Sequence, residues 1–316
     1  MKPFRFIAPM PAFTTPGAWR DGLRRIEDLG FDTISISDHF TRGWVMDPLT
    51  AMVAVTEATS SVRVLSLVLG NDYRHPTLVH KAIATIDALS GGRVELGLGA
   101  GWMASDYAAA GIRLDPPAVR IERLAESVAI IKGLFGDGPF TYRGRHYQVT
   151  DLDGLPKPTQ SPRPPLLLGG GGRRMLELSG READIVGIHC RLPDGELTPA
   201  AAADLGADRV AEKVDWARAA AQASGRDPDN LDWQFTVYLC RVSGSAAAAT
   251  ATESSFARLI AADPSLLKDS PAVLIGDVER CTDLLQERRE RFGLNYINLG
   301  RDVVAVAPIV ARLAGT

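Results

Sequence analysis

Cysteine is scarce in this sequence: only Cys190, Cys240 and Cys281 occur among 316 residues. An odd number of widely spaced cysteines does not form a disulfide framework and is typical of proteins of a reducing cytoplasm. Neither the cysteines nor the five histidines have the spacing of metal ligands. The sequence also lacks a G-x-S-x-G segment and a cysteine in a catalytic setting. These absences argue against hydrolases and metalloenzymes, and we expect a cytoplasmic protein without a metal site.

Long apolar runs and an excess of one charge are missing as well. No apolar run is long enough to cross a membrane, and the N-terminal segment MKPFRFIAPMPAF is too interrupted by proline for a signal peptide. The formal net charge of −3 provides no basic surface for nucleic acid or for an acidic membrane. We therefore expect neither of these partners.

What the sequence does contain is a regular alternation of β-rich runs and amphipathic helix patterns. Eight such runs occur, at 4–8, 32–37, 62–69, 94–99, 165–168, 184–188, 233–242 and 294–299. Helix patterns lie between them, beginning with the one at Pro16, whose apolar side chains recur every three or four residues. Eight strands separated by helices predict an α/β fold of the (β/α)8 TIM-barrel type. A doubly wound sheet would have a six-strand core and a topological switch instead.

The alternation is interrupted between the fourth and the fifth predicted strand. A long helix pattern covers 118–135, and FTYRGRHYQV (140–149) has the pattern of a hairpin that turns at Arg143 and Gly144. A proline-rich passage at 155–166 follows. Because this segment has no core of its own, we predict a helix-plus-hairpin insertion at about 104–163, within a single domain that spans 1–316.

The end of the fourth predicted strand is rich in glycine. Its sequence GLGAGW places glycines at 97, 99 and 101, whereas a dinucleotide-binding fingerprint needs G-x-G-x-x-G after the first strand. Two interpretations remain. The glycines let neighbouring strands pack in a tapered barrel, or they leave bare backbone on which a flat ring can lie at the C-terminal face. Their position at the catalytic face favours the ring.

A second glycine cluster, Gly169–Gly172, ends another predicted strand and is followed by Arg173 and Arg174. Free N–H groups at the start of a helix, next to two guanidinium groups, are typical of a phosphate site. The alternative is a flexible loop with solvated arginines. We favour the phosphate site, because four glycines at such a turn cost chain entropy.

Asp38 and His39 end the second predicted strand, in the segment SISDHF. A carboxylate beside a histidine can fix the tautomer of the ring and adjust its pKa, so we predict that Asp38 orients His39 for acid–base chemistry. His75 is expected to cap the helix that follows it, and His80 to be structural. Asp106 is expected to cap a helix or to contact a cofactor.

Several motifs occur together in an order that resembles one known family. They are FDTISISDHF (31–40), YRHP (73–76), LSGGRVELGLGAGW (89–102), YRGRHY (142–147) and IGDVERCTDLL…FGLNYINL (275–299). The sequence resembles the bacterial luciferase-like monooxygenase superfamily from end to end, and most of all its branch of coenzyme F420-dependent oxidoreductases. The motifs do not separate F420, a deazaflavin, from FMN.

The resemblance implies a deazaflavin in the C-terminal mouth of the barrel, with Asp38 and His39 as the family's aspartate–histidine pair and His39 as the proton donor. It also implies a bulge with a non-prolyl cis peptide around 66–70, behind the ring. By similarity, the cofactor-binding residues are Asp38, Leu69, Gly70, Ala100, Gly101 and Ser105, with Gly170, Gly171, Arg173 and Arg174 at the phosphate end. Homodimerisation is implied in the same way.

One departure from the family pattern bears on the substrate. The sugar-phosphate dehydrogenases of this branch have a catalytic glutamate where this sequence has Trp102, although Trp44 is shared with them. Together with Phe13, these tryptophans predict an apolar substrate pocket. We therefore expect an F420-dependent oxidoreductase that acts on a small, apolar organic molecule. An FMN- or reduced-flavin-dependent monooxygenase and a non-catalytic flavin- or deazaflavin-binding protein remain the alternatives.

Overall fold

Nine strands form one sheet whose two ends meet, in a computed structural model that describes residues 1–41, 43, 46–191, 199–243 and 269–316. All neighbouring strands of this sheet are parallel. In chain order the described strands are β1 (Arg5–Pro9), β2 (Thr33–Ile36), β3 (Arg63–Ser66), β4 (Leu69–Gly70), β5 (Val94–Gly99), β6 (Pro139–Arg143), β7 (Gln148–Asp153), β8 (Leu166–Gly170), β9 (Ile185–Ile188), β10 (Asp232–Thr236), β11 (Leu239–Val242), β12 (Val273–Gly276) and β13 (Tyr296–Asn298).

The barrel closes because β3 pairs with β5 while β4, the short continuation of β3, pairs with β5 further along. From there the order runs through β8, β9, β10 and β13 to β1 and β2 and so back to β3. The strands therefore occupy eight positions, and the predicted (β/α)8 barrel is confirmed.

Helices follow the strands on the outside. The described helices are α1 (Pro16–Asp28), α2 (Pro48–Ala58), α3 (Pro76–Ser90), α4 (Ala104–Ala110), α5 (Pro117–Phe135), α6 (Arg173–Glu182), α7 (Pro199–Ala203), α8 (Ala207–Ala223), α9 (Val278–Phe292) and α10 (Val303–Leu313). Within the described residues, none of them is long and apolar enough to cross a membrane.

The first three helices begin in the same way, with a capping side chain directly before a proline. Thr15, Asp47 and His75 each accept a hydrogen bond from a backbone N–H of the first turn, at 3.3, 2.9 and 3.3 Å. The proline that follows has no N–H to leave unpaired. The predicted capping role of His75 is thereby confirmed. These starts define where the loops of the C-terminal face end.

The N-terminal end of the barrel is closed by a buried ionic network. Glu95, which is 1% exposed, binds Arg5 at 2.5 Å and Arg63 at 2.7 Å. Burial alone would raise the pKa of Glu95, but the cations of Arg5 and Arg63 lower it below its ordinary value. The hydroxyl of Tyr296 donates to the same carboxylate at 2.7 Å. Among the described residues, the interior is therefore filled at this end of the barrel.

Two predicted strands differ from the structure. The run 62–69 is broken between β3 and β4, where the peptide bond from Leu67 to Val68 is cis, at the place that the family resemblance implies. The run 233–242 forms both β10 and β11, and β11 pairs with β12 outside the barrel. The N–H of Val237 donates to Asn298 at the end of β13. Beyond that point the backbone groups of β11 pair with β12.

The interruption after β5 contains α4, α5 and the antiparallel hairpin of β6 and β7. The carboxylate of Glu126 on α5 holds the turn of this hairpin. It accepts hydrogen bonds from the backbone N–H groups of Arg145, His146 and Tyr147 at 2.8, 2.9 and 3.0 Å. Burial would raise the pKa of Glu126, but these N–H groups lower it. The hairpin also packs on α5 through a separate apolar cluster of Ile130, Leu134 and Val149, so the expectation that this insertion has no core of its own is wrong.

Candidate active site

A cavity of about 460 Å³ opens at the C-terminal end of β1, β2 and β13. Side chains of a strand alternate between its two faces, so the residue two positions after an inward-facing one also faces inward. Ser35 follows Thr33 in this way, and Asn298 follows Tyr296, whose hydroxyl bonds Thr33 inside the barrel at 2.7 Å. The cavity therefore lies directly above the packed interior. Apolar side chains dominate its lining: Pro9, Met10, Phe13, Ile36, Met46 and Leu67.

His39 lies just beyond β2, in the loop whose residues Ser37 and Gly43 line the cavity. Its ring nitrogen Nδ1 is 2.7 Å from Oδ2 of Asp106 on α4, and the Asp106 side chain is fully buried. An ionised carboxylate only accepts hydrogen bonds, so the proton of this bond belongs to Nδ1. Nε2 is then the nitrogen at which the ring gains or loses a proton.

Asp106 also holds the backbone next to His39. Its Oδ1 accepts hydrogen bonds from the N–H of Thr41 at 3.0 Å, from the Thr41 hydroxyl at 2.6 Å and from the N–H of Phe40 at 3.3 Å. Burial would raise the pKa of Asp106, but the bonds from Thr41 and His39 lower it. One carboxylate thus fixes both the ring and the loop that carries it.

Asp38 is used differently from the prediction. Both of its oxygens bind the guanidinium of Arg74, at 2.6 and 3.2 Å, and one also accepts the N–H of Gly70 at 3.0 Å. Arg74 binds Asp47 as well, at 2.8 Å. The expectation that Asp38 orients His39 is therefore wrong, and Asp106 takes that place. Asp38 instead ties the end of β2 to β4.

At the glycines at the end of β5, other protein atoms occupy the space that a side chain would need. A Cβ at Gly97 would overlap the carbonyl oxygen of Ser66, and one at Gly99 would lie 2.8 Å from the Val68 side chain. Gly101 has a φ of +79°, and a Cβ there would overlap the Tyr107 hydroxyl. Packing against the 66–68 bulge and against α4 therefore requires these glycines. The interpretation that they expose bare backbone for a ring is not supported by this geometry.

The loop after β5 is held from below by Arg120 of α5. Its guanidinium donates to the carbonyl oxygens of Ala100, at 3.3 Å, and of Gly101. Arg120 itself is 8% exposed. Ala100 and Gly101 are thus fixed through their carbonyl groups. Their predicted contacts with a cofactor stay predictions.

The second glycine cluster lies where it was predicted, between β8 and α6. Gly172 caps α6 without a side-chain acceptor, and a Cβ at Gly172 would meet nothing within 4 Å. Gly170 and Gly171, by contrast, are required by packing against Met175 and against the backbone of Cys190. The first N–H groups of a helix have no partner within it, so an anion can approach α6 at Gly172.

Arginines surround this helix start. Arg173 pairs with Glu177 on the same helix at 2.8 Å, while Arg174 is exposed and has no ion pair with the described residues. The guanidinium of Arg191 donates to the carbonyl of Gly171 at 3.4 Å. No local sequence pattern places Arg191 beside the glycine cluster.

The structure describes two of the three predicted substrate residues. Phe13 lines the cavity. Trp102 packs edge-on against the ring of His39, with centroids 5.5 Å apart. Trp44 lies outside the described residues. Among the predicted cofactor residues, Leu69 is buried in the core, and Ser105 is hydrogen-bonded to Thr41 at 3.1 Å near His39.

A family model described as luciferase-like monooxygenase matches residues 8–295. The chain belongs to this family. Since that match runs from the end of β1 to the residue before β13, most of the barrel contributes to it. Curated relatives of the chain include both F420-dependent and FMNH2-dependent enzymes.

Three curated relatives illustrate this division. The chain is 31% identical over 166 residues to the F420-dependent glucose-6-phosphate dehydrogenase of Amycolatopsis mediterranei, covering 51% of this chain and 49% of the relative. It is 34% identical over 192 residues to the corresponding enzyme of Segniliparus rotundus, covering 57% and 56%. To the FMNH2-dependent dimethylsulfone monooxygenase of Pseudomonas putida it is 29% identical over 162 residues, covering 50% and 44%. The chain thus matches about half the length of these relatives.

Solved structures share the fold over the whole chain. An F420-dependent secondary alcohol dehydrogenase has a TM-score of 0.77 at 18% identity, covering 99% of this chain and 98% of the other. A monooxygenase from Streptomyces bottropensis has a TM-score of 0.74 at 21% identity, covering 98% and 97%. These likenesses establish the barrel fold and leave the reaction open.

Proposed function

We propose that this protein is an F420-dependent oxidoreductase that moves a hydride between the deazaflavin and a small, largely apolar organic substrate. The observation that carries the proposal is the His39–Asp106 pair beside the mouth cavity. Hydride transfer to or from a carbon that bears oxygen is accompanied by a proton at that oxygen. A histidine whose Nδ1–H is held by a buried carboxylate can give or take this proton at its other ring nitrogen.

The residues present fit such a cofactor at its phosphate end. Gly172 leaves open space at the start of α6, and the exposed Arg174 stands beside it without an acidic partner in the described chain. Helix N–H groups together with guanidinium groups bind phosphate. A bound deazaflavin supplies two-electron hydride chemistry. The task of the chain is to hold its phosphate here and to place a proton-transfer group at the mouth.

The cavity supports an apolar substrate. Its lining in the described residues contains no lysine and no carboxylate, and Arg301 at the rim is its one cation there. A sugar phosphate needs several cationic partners, and the described part of the lining provides one. Trp102 stands where the sugar-phosphate dehydrogenases of the family have a glutamate. We therefore propose a substrate other than glucose 6-phosphate, although some curated relatives are named for that substrate.

The second candidate function is a reduced-flavin-dependent monooxygenase, because a relative of similar identity is FMNH2-dependent. A third is a protein that binds the flavin or deazaflavin without turnover. The His39–Asp106 pair favours an enzyme over this third alternative, since a binding protein has no need of a fixed proton-transfer group.

Titration of the purified protein with F420 and with FMN separates the first two functions. We expect a change in F420 fluorescence that saturates and that FMN does not reverse at equal concentration. Reduced F420 should then be oxidised in a single turnover with small ketones under anaerobic conditions. Binding of FMN alone, with oxygen consumption after reduction, would contradict the proposal in favour of the monooxygenase. Binding of F420 without any single-turnover oxidation would favour the non-catalytic protein.

A further inference from the structure

Asn298 is a polar side chain in the wall of a mostly apolar cavity. It is the last residue of β13 and faces inward, like Tyr296 two residues before it. It is 7% exposed and lines the cavity with Ser35 and Ser37 of the β2 side. Burying an amide costs free energy unless its donors and acceptors are paired.

The direction of the Asn298 amide is fixed by the turn that follows β13. Gly300 has a φ of +84°, which turns its N–H back onto Oδ1 of Asn298 at 3.0 Å. Such a bond from residue i+2 to an asparagine side chain is a common turn device. Because Oδ1 accepts this bond, Nδ2 lies on the side of the amide that is turned away from Gly300. Nδ2 makes no hydrogen bond with any residue that the structure describes, and it is not among the unpartnered polar atoms that are closed off from solvent, so it is accessible from the cavity.

The groups around Nδ2 limit what it can bind. The side chains of Ser35 and Ser37 are neutral, and apolar side chains such as Leu67 and Ile36 form most of the remaining wall. An N–H pair that faces an apolar cavity selects for a ligand oxygen, since a hydrocarbon would leave the donors unpaired.

We propose that Asn298 Nδ2 donates a hydrogen bond to the carbonyl or hydroxyl oxygen of a small neutral ketone or alcohol, so that Asn298 selects oxygen-bearing substrates over hydrocarbons of the same shape. This substrate class rests on the proposed oxidoreductase function. Asn298 is a positioning residue: it holds the oxygen, while His39 exchanges the proton.

Binding of two matched probes tests the proposal without turnover. Cyclohexanone and methylenecyclohexane have the same shape, but only the ketone has an oxygen acceptor. Their affinities are measured by calorimetry on wild type, Asn298→Asp and Asn298→Ala. The aspartate keeps an oxygen for the N–H of Gly300 and replaces the donor by an acceptor. We expect the ketone-to-hydrocarbon affinity ratio to fall about tenfold in Asn298→Asp and about fivefold in Asn298→Ala, the range for loss of one hydrogen bond.

Asn230→Asp provides the matched control. Asn230 is exposed, at the end of a short 3-10 turn (Pro228–Asn230), and the same change of charge there should leave the affinity ratio unchanged. Thermal unfolding of each variant shows whether it is folded, and Asn298→Ala remains informative if the buried aspartate prevents folding.

Three outcomes would overturn the proposal. One is an affinity ratio that is the same in wild type and in both Asn298 variants. Another is no measurable binding of cyclohexanone to wild type, with and without F420. The third is weaker F420 binding in the variants with an unchanged ratio, which would assign Asn298 to the cofactor. Failure of the proposed function is recognised separately, because it appears in wild type as a preference for FMN over F420.

Discussion

Nδ1 of His39 lies 2.7 Å from Oδ2 of Asp106, although 67 residues separate the two in the chain. The loop after β2 and the first turn of α4 meet through this bond, and Asp106 also accepts the N–H and the hydroxyl of Thr41. Asp38, the immediate neighbour of His39, forms an ion pair with Arg74 instead. The acid–base group of the mouth is therefore assembled from two separate βα loops.

Asp106→Asn should lower kcat by about 100-fold, the lower part of the range for acid–base catalysis. The amide can present its N–H to the ring, which reverses the preferred tautomer and removes the charge that stabilises a protonated His39. Affinity for the cofactor should change less than threefold, since none of the phosphate-end residues is touched. Steady-state kinetics and cofactor titration measure the two effects, and His39→Ala should give a similar loss of kcat.

Asp38→Asn is the matched control for that prediction. Asp38 binds Arg74 and the N–H of Gly70. This change should therefore lower the melting temperature and leave kcat nearly unchanged. If Asp38→Asn abolished turnover in a fully stable protein while Asp106→Asn remained active, the assignment of Asp106 as the orienting carboxylate would be wrong.

Gly99→Ala should destabilise the protein by about 1–3 kcal/mol, the usual cost of overpacking. The new methyl group would lie 2.8 Å from Cγ2 of Val68. Val68→Ala removes that atom, so the double variant should be more stable than the sum of the single changes predicts. Urea unfolding of the four proteins of this double-mutant cycle gives the coupling free energy.

Gly97→Ala provides the contrast. Its methyl group would overlap the carbonyl oxygen of Ser66, which no side-chain change removes. Val68→Ala should therefore not rescue Gly97→Ala. A stable Gly99→Ala that instead loses cofactor binding would return these glycines to the interpretation that a ring lies on them.

Arg174→Ala should weaken cofactor binding about tenfold, because an exposed guanidinium beside the open start of α6 is available to a phosphate. Arg173→Ala should have a smaller effect, since Arg173 is already paired with Glu177. The difference between the two variants should shrink as salt is raised, because exposed charges are screened. Equal affinities of both variants and wild type at low salt would show that the cofactor phosphate does not bind at the start of α6.

Stability should fall as the pH drops from about 6.5 to about 4, through His80. Burial, and then the nearby charge of Lys157, lower the pKa of His80 from 6.5 to about 4. The unfolded chain therefore binds a proton in this pH window that the folded chain does not, and the stability present above pH 6.5 is progressively lost, by about 3 kcal/mol in all.

Urea unfolding at pH 7.5 and at pH 4.5 measures this effect. His80 is 2% exposed and packs on Phe135, so His80→Leu should fold and should lose less stability on acidification than wild type. His189, whose pKa burial and Lys213 also lower to about 4, should preserve part of the pH dependence. Identical losses in the variant and in wild type would show that His80 does not titrate in this way.

The sequence by itself determined the elements and the barrel. Strand and helix periodicities, and starts such as Thr15 and Asp47 before proline, depend on contacts within a few residues, so the pattern of the chain is sufficient to find them. The same reasoning found both glycine clusters and the histidine at the end of β2. It could not tell what lies against those glycines, because the Val68 and Tyr107 side chains arrive from other segments.

Only the tertiary structure decided the partners. Asp38 was the nearest carboxylate to His39 in sequence, but closure of the barrel brings Arg74 to Asp38 and places Asp106 against the ring. It likewise sets Asn298 beside Ser35, across β1. Such pairings depend on strand order and on the insertion after β5, which no local spacing encodes. The sequence therefore determines which residue types lie at the mouth of the barrel. Which of them contact one another, and hence the chemistry of the mouth, is determined by closure of the barrel.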